Sequence, residues 1–459
     1  ETANTMLLLL QAALLLATCF GHPLDDYVNA PDSAYSYEQI AQYDDDIEGV
    51  TVYVLNMTSQ TWMTDDFSNI TTWFHYVTVM IPDEIVIPDQ SYMFISVGQN
   101  WHDPPAPDND PFVRILSEMA KSLGSVMSMI NQVPNQPCVF GEEYDPSQRV
   151  RTEDDIIAWT WARFMNDTDG TTDVLLYFPM VKAVVRGLDT VAAVAQEKNE
   201  DLVLDKFIVG GPSKRGWTTY LTSAADPRIV GQTPMVISIL NLVDNMHHHY
   251  QSLGAWSWAF EDYWREGLTE RLDSPEAALL AEMQDPYVFM DRYTMPSLLI
   301  KACNDEFFML DDFQFFVNEF PGVSYMWNLE NTNHAMVGQW EREKDTVEAF
   351  FLNVYYDYDW PEFTYTMESD SESGFIEVEV DTDVLVNVTG WVAITHPEVG
   401  RRDYRWMILN EEKNDTVVNF PRYEETPVED LGDGKYRLEV DAPEEGTWAG
   451  FFITMFFNA

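Results

Sequence analysis

Two rhythms of hydrophobic and polar positions divide this chain. From about residue 50 to 355, short runs rich in β-branched and aromatic side chains alternate with longer runs of helical period. The spacing predicts strands over 51–55, 74–81, 92–97, 206–210, 235–239, 297–302 and 323–329. It predicts helices over 112–127, 153–164, 180–196, 214–224 and 339–355. The helix over 180–196 carries a clean stripe of Val181, Val184, Val185, Leu188, Val191, Ala192 and Ala195 at i, i+3, i+4, i+7 spacing. Such a stripe must cover a sheet, and strands separated by helices imply a mostly parallel, doubly wound α/β sheet with both faces covered. Residues 240–295 break the rhythm: they are helical, rich in Trp, Tyr and Met, and read as a cap inserted over the carboxyl ends of the strands.

Beyond about residue 359 the period becomes two. Ile376, Val378 and Val380 alternate with Glu377, Glu379 and Asp381, and Tyr436, Leu438 and Val440 alternate with Arg437, Glu439 and Asp441. With turn signals near Gly400, Gly432 and Gly446, the expectation is a separate antiparallel β-sandwich of immunoglobulin-like type over 359–459. The larger domain then spans 23–358.

Charge changes the picture next. Lys and Arg number 25 against 77 Asp and Glu, a formal net charge of −52, so the surface projects negative potential. That balance excludes nucleic acid and anionic membranes as partners reached through a basic patch. Adaptation to salt and simple solubility both fit the acidity.

Residues 6–20 (MLLLLQAALLLATCF) form the one long apolar run. It is shorter than the roughly 20 residues a membrane-crossing helix needs and precedes polar, Asp-rich sequence, so 1–22 reads as a leader with a secretory signal. The mature chain is then expected outside the cell, with no stable membrane span. Five Asn-X-Ser/Thr sequons agree, at Asn56, Asn69, Asn166, Asn387 and Asn414. With Cys19 removed, Cys138 and Cys303 remain, either as one disulfide or as two buried thiols.

The sharpest local feature is the strand-to-helix junction at Gly210, Gly211, Pro212, Ser213, Lys214, Arg215 and Gly216. A serine on a tight turn between strand and helix needs small neighbours, or the two backbones collide. Gly211 meets that need before the serine; after it, Arg215 stands where a glycine is usual and Gly216 comes one place late. Asp305 and His334 each follow the end of a predicted strand. Ser, Asp, His in that order is the α/β-hydrolase arrangement, with Ser213 as nucleophile, His334 as base and Asp305 as its orienter. The N–H of Lys214 and that of Gln99, after the strand over 92–97, are the expected oxyanion donors.

Several blocks together resemble one family. Residues 207–219 (FIVGGPSKRGWTT) followed by 225–228 (ADPR) are similar to the signature of the PhoPQ-activated pathogenicity-related family, which also takes in autocrine proliferation repressor-like secreted proteins. Further matches are 59–62 (SQTW), 133–137 (VPNQP), 153–158 (EDDIIA), 178–182 (FPMVK), 305–308 (DEFF), Asn333 with His334, and 402–405 (RDYR). The resemblance implies an α/β-hydrolase-like core with a carboxy-terminal β-domain and kinship to serine peptidases and esterases, and it supplies no substrate. Pro212 departs from the family pattern, where a small residue such as Ala is usual. Proline fixes its own φ and biases Gly211 toward extended geometry, which alters the strain of the turn.

Other clusters point to less. His247, His248 and His249 diverge by about 100° each on a helix and cannot share one ion, so no metal is expected. The group of Trp256, Trp258, Phe260, Tyr263 and Trp264 reads as cap core or as the lining of an apolar pocket. The acidic stretches at 44–48 and 103–110 lack calcium-loop spacing and read as solvated loops. The expectation is a secreted serine hydrolase acting on a peptide, ester or amide without a cofactor. Its alternative is a secreted signalling or binding protein, meeting an extracellular receptor, that keeps the scaffold while its activity is lost or incidental.

Overall fold

A computed structural model describes residues 21–380, 383–410 and 415–457. The apolar run at 6–20 and the sequon at Asn414 lie outside the described residues. Nine strands form the central sheet: β1 (Ser36–Ile47), β2 (Val50–Thr61), β3 (Thr72–Pro82), β4 (Ile87–Ile95), β5 (Ser125–Ile130), β6 (Lys206–Pro212), β7 (Ile229–Met235), β8 (Ser297–Ala302) and β9 (Ser324–Leu329). Their order is β1-β2-β3-β5-β4-β6-β7-β8-β9. The pairs from β1 to β3, and β3 with β5, are antiparallel. From β5 through β9 every pair is parallel.

Among the described residues the helices are α1 (Pro23–Asn29), α2 (Pro111–Leu123), α3 (Asp154–Asn166), α4 (Tyr177–Lys198), α5 (Lys214–Ala225), α6 (Leu242–Leu253), α7 (Glu261–Arg265), α8 (Pro275–Gln284) and α9 (Trp340–Tyr356). α4 and α5 cover one face of the sheet. α2 and α9 cover the other. The stripe on α4 is buried as its period requires, with Val181, Val184, Leu188 and Val191 at 0% exposure. Each such side chain contributes about 1.5–3 kcal/mol by leaving water, which is why this helix is held so firmly to the sheet. Among the described residues no helix is long and apolar enough to cross a membrane.

Two expected elements are corrected, and two strands, β1 and β5, were not expected. The helix begun at 112 ends at Leu123, because Gly124 caps it with φ +60 and the chain turns at once into β5. The strand expected over 235–239 lies at Ile229–Met235, so its carboxyl end falls where its beginning was placed.

Between β7 and β8 the chain builds the cap from α6, α7, α8 and short 3₁₀ turns. After α9 come β10 (Phe363–Ser369), β11 (Ser373–Val380), β12 (Leu385–Ile394), β13 (Met407–Asn410), β14 (Asp415–Val418), β15 (Glu424–Thr426), β16 (Glu429–Gly432), β17 (Lys435–Asp441) and β18 (Ala449–Phe457). They make antiparallel sheets β10-β11-β17-β16 and β15-β12-β18, with β13 and β14 as a separate pair. Lettered A, B, C, D, E and F, strands β10, β11, β12, β16, β17 and β18 give A-B-E-D in the first sheet and C beside F in the second. The two period-two runs lie on neighbouring strands, Ile376 opposite Leu438 and Val378 opposite Tyr436.

Candidate active site

The turn after β6 sets the geometry. Ser213 has φ 58 and ψ −126, a conformation that costs a non-glycine residue free energy and lifts its side chain out of the line of the strand. The strand and helix can approach only because glycines flank it. A Cβ on Gly211 would lie 2.8 Å from the Ile95 carbonyl oxygen, and one on Gly216 would lie 2.5 Å from Ile237 Cγ2 and 2.9 Å from the Gly211 carbonyl oxygen. Gly216 therefore supplies the close packing one position later than expected. Pro212 ends β6 opposite Met235, and the Ser213 N–H donates to the Met235 carbonyl at 2.8 Å.

Arg215, which stands where a second glycine was expected, is buried and does separate work. Its Nη1 and Nη2 donate to the two carboxylate oxygens of Glu153 at 2.6 and 2.8 Å, and its Nε donates to the Val133 carbonyl at 2.6 Å. Lys214 Nζ lies 3.0 Å from Glu153 Oε2 and 2.9 Å from Asp154 Oδ2. Burial works against the lysine charge, but Asp154 and Glu153 outweigh it and hold the ammonium above its ordinary range. Burial likewise opposes the Glu153 charge, and Arg215 and Lys214 overcome that and hold the carboxyl well below its ordinary range. Gln136 bonds both Glu153 and the Gly98 carbonyl, tying the elbow to the loop after β4.

The three residues expected to act together are adjacent. Ser213 Oγ lies 2.9 Å from His334 Nε2, and His334 Nδ1 lies 2.9 and 2.8 Å from the two Asp305 carboxylate oxygens. With Nδ1–H donated to Asp305, Nε2 presents a lone pair to the serine hydroxyl. Asp305 is buried, and its Oδ1 also accepts from the backbone N–H groups of Phe307 at 2.7 Å and Phe308 at 3.2 Å. Glu306 accepts from the backbone N–H of His334 at 3.1 Å, and burial raises its own pKa. A hydroxyl so placed can lose its proton to the imidazole while attacking an electrophile.

Lys214 is the first residue of α5, where a backbone N–H has no acceptor within the helix. Gln99 is corrected. Its N–H donates to His102 Nδ1 at 3.3 Å, so the second expected donor is engaged by a neighbouring ring.

The β-domain grips the loops that carry Asp305 and His334, which periodicity gave no means of expecting. Asn304, next to Asp305, donates to the carbonyls of Tyr404 at 2.7 Å and Pro421 at 3.0 Å, and its own carbonyl accepts from Trp406 N–H at 2.9 Å. Asn331, three residues before His334, donates to the Tyr423 carbonyl at 2.9 Å and accepts from the Tyr423 N–H at 2.8 Å. Arg405 Nη1 donates to Ser257 Oγ of the cap, whose hydroxyl donates to the Glu306 carbonyl. Glu153, Gln136 and Arg405 all fall within the sequence blocks quoted for the family resemblance; that was the available signal.

The remaining expected sites are placed as follows. Cys138 and Cys303 are both buried and free. The disulfide is corrected: Cys138 packs in the main core under the sheet, while Cys303 packs against Tyr404, Tyr423 and Phe452 of the β-domain. Burial pushes the Cys138 thiol up to about 12. Of the sequons, Asn69, Asn166 and Asn387 are exposed, while Asn56 lies half-buried in β2. The three consecutive histidines diverge: His247 meets Asp273, His248 meets Asp311, and buried His249 accepts from the Ser257 N–H. Arg402 bonds both His248 and Asp311.

Comparison with known proteins agrees with the earlier resemblance. A family model described as PhoPQ-activated pathogenicity-related protein matches residues 24–405. Autocrine proliferation repressor protein A of Dictyostelium discoideum is 33% identical over 457 residues, covering 97% of this chain and 88% of that protein. Among solved structures, similarity extends to the acetyl xylan esterase from Paenibacillus sp. R4, at 12% identity, 72% of this chain, 91% of that one and a TM-score of 0.49. It extends also to a glucuronoyl esterase from Solibacter usitatus, at 12% identity, the same coverages and a TM-score of 0.45. Likeness this distant leaves the reaction open, and the α/β-hydrolase-like fold stands on the strand order and the elbow described above. On the span of the family match and the identity to a curated relative, this chain belongs to the PhoPQ-activated pathogenicity-related protein family.

Proposed function

We propose that this protein is a secreted serine hydrolase acting on ester, amide or peptide bonds through an acyl-enzyme. The observation that carries the reading is the unbroken hydrogen-bonded line from Ser213 Oγ through the His334 ring to Asp305. Ser213 Oγ attacks the substrate carbonyl carbon as His334 Nε2 takes the hydroxyl proton. The carbonyl oxygen gathers negative charge and is met by the Lys214 N–H. Asp305 holds the imidazole in the required tautomer and stabilises the imidazolium. His334 then returns its proton to the leaving oxygen or nitrogen as that bond breaks. Water, deprotonated by the same nitrogen, hydrolyses the ester formed on Ser213. Secretion is supported by the apolar leader and by the three exposed sequons.

Ser213→Ala tests the reading. Removing the nucleophile is expected to lower kcat on an activated ester by at least about 10⁴-fold with the fold intact by circular dichroism. A variant that kept the wild-type rate would sink the proposal. A second reading, a secreted signal on a hydrolase scaffold, is favoured by the name of the Dictyostelium relative. It requires that biological activity survive in Ser213→Ala, which separates the two.

A further inference from the structure

Ser213 and Lys214 open onto a cavity between the elbow and the cap, with about 70 Å³ open to the centres of water-sized spheres. Its walls are rings and aliphatic chains: Trp161 and Trp217 from α3 and α5, Trp256, Phe260 and Tyr263 from the cap, and Phe307 from the loop after β8. The Trp217 ring is fixed from two sides, stacked on Tyr177 with centroids 4.9 Å apart and donating its Nε1–H to the Gln284 carbonyl at 2.7 Å. This lining is therefore a built surface. The charged groups that reach it are already satisfied. Asp154 accepts from the Tyr263 hydroxyl at 2.8 Å and pairs with Lys214 Nζ at 2.9 Å, so the cavity offers no unpaired charge to a substrate.

Which part of a substrate enters is set by the position of the base. His334 does not line the cavity, and the Phe307 ring, which does, lies against the imidazole with centroids 4.4 Å apart. The leaving oxygen or nitrogen must sit at His334 Nε2 to receive its proton, so it departs on the side away from the cavity. The carbon substituent of the carbonyl under attack then points inward. Space, apolar walls and paired charges fit an uncharged carbon chain, and the net charge of −52 disfavours an anionic one.

We propose that this cavity is the acyl subsite and that it takes a large, uncharged, apolar acyl group such as an octanoyl chain in preference to acetyl, an assignment that rests on Ser213 being the nucleophile. Each methylene moved from water into the cavity should raise kcat/KM about fourfold, the equivalent of about 0.8 kcal/mol.

The test uses the full chain and a series of p-nitrophenyl esters from acetate to octanoate. The expected result is a kcat/KM that climbs with chain length, octanoate exceeding acetate by at least about a hundredfold. Val243→Trp, on the half-buried cap wall of the cavity, should lower the octanoate-to-acetate ratio at least tenfold. Binding is measured separately with Ser213→Ala, whose tryptophan fluorescence should respond to octanamide and not to acetamide. Turnover with a flat or falling series and no response to octanamide overturns the acyl assignment while leaving the chemistry of Ser213 intact. Octanamide binding without turnover of any ester overturns it through the hydrolase reading.

Discussion

Asp305→Asn isolates what the carboxylate contributes, because the change is nearly isosteric. In the native site Oδ1 accepts two backbone N–H groups, from Phe307 and Phe308, and lies 2.9 Å from His334 Nδ1, to which Oδ2 is closer at 2.8 Å. An asparagine must leave its oxygen with those two backbone donors, since turning the amide nitrogen toward them would oppose donor to donor. The NH₂ group then occupies the Oδ2 position and faces Nδ1. The imidazole answers by moving its proton to Nε2, and a protonated Nε2 cannot accept from Ser213. The lost tautomer and lost imidazolium stabilisation are together expected to lower kcat about 10⁴-fold, equivalent to about 5.5 kcal/mol of barrier. KM should change little, because Asp305 is buried beneath the imidazole. Steady-state kinetics on p-nitrophenyl octanoate at neutral pH reads this directly, with thermal melting to show that the fold persists. A variant within tenfold of wild-type kcat would refute the assignment of Asp305 as the orienting acid.

Two other perturbations probe the frame around the site. Glu343 in α9 is 2% exposed, neither carboxylate oxygen has a hydrogen-bond partner among the described residues, and burial lifts its pKa from 4.5 to about 8. The folded state thus keeps a proton that the unfolded chain releases, so stability is lost as pH rises from about 4.5 through about 8, by up to roughly 4–5 kcal/mol. Glu343→Gln should remove that slope and be more stable than wild type at pH 9, as read by urea unfolding; identical pH profiles for the two proteins would contradict this. Asn331→Ala deletes both bonds to Tyr423 and places alanine at φ +55. It should cost about 1–3 kcal/mol and lower kcat at least tenfold with KM little changed, while an unaltered kcat would show that the β-domain does not position His334.

How much of this was readable from the sequence follows from where the side chains face. The alternation in β11 and β17 was visible because each has one more deeply buried face, and the stripe on α4 because its second half turns a polar side outward, although 177–185 are buried on every side. β1 reads SYEQIAQYDDDI and sits at an edge of the sheet, so no apolar period marks it. β5, SVMSMI, is buried throughout, yet its serines bond carbonyls of the neighbouring strand, Ser125 Oγ to Gln90 and Ser128 Oγ to Tyr92. A strand satisfied in this way hides polar residues in the core. β7 misled for the same reason. Gln232 bonds Ser297, Thr233 bonds Tyr92, and Gly231 lies under Phe350 and Val354, where a Cβ would meet them at 3.2 and 3.3 Å.

The adjacency of Ser213, Asp305 and His334 was legible because each follows a strand end, a position set by local pattern alone. The network through Glu153, Arg215 and Val133, and the grip of Asn304 and Asn331 on the β-domain, join residues 62 to 117 positions apart. No periodicity carries such pairings, and only folding brings them together. Gln99 failed as an expectation for a related reason: the loop after β4 was placed correctly, but the direction of its N–H depends on where His102 lies.

The central claim is that a bent backbone holds one hydroxyl against one imidazole in reactive alignment. A fluorophosphonate probe reads this most directly, since it phosphonylates a serine that a neighbouring base has activated. Incubated with the full chain at neutral pH and located by peptide mass spectrometry, it is expected to label Ser213 alone, not to label Ser213→Ala, and to react far more slowly with Asp305→Asn. Well-folded protein that takes up no label, or takes it up on another serine, would contradict the account.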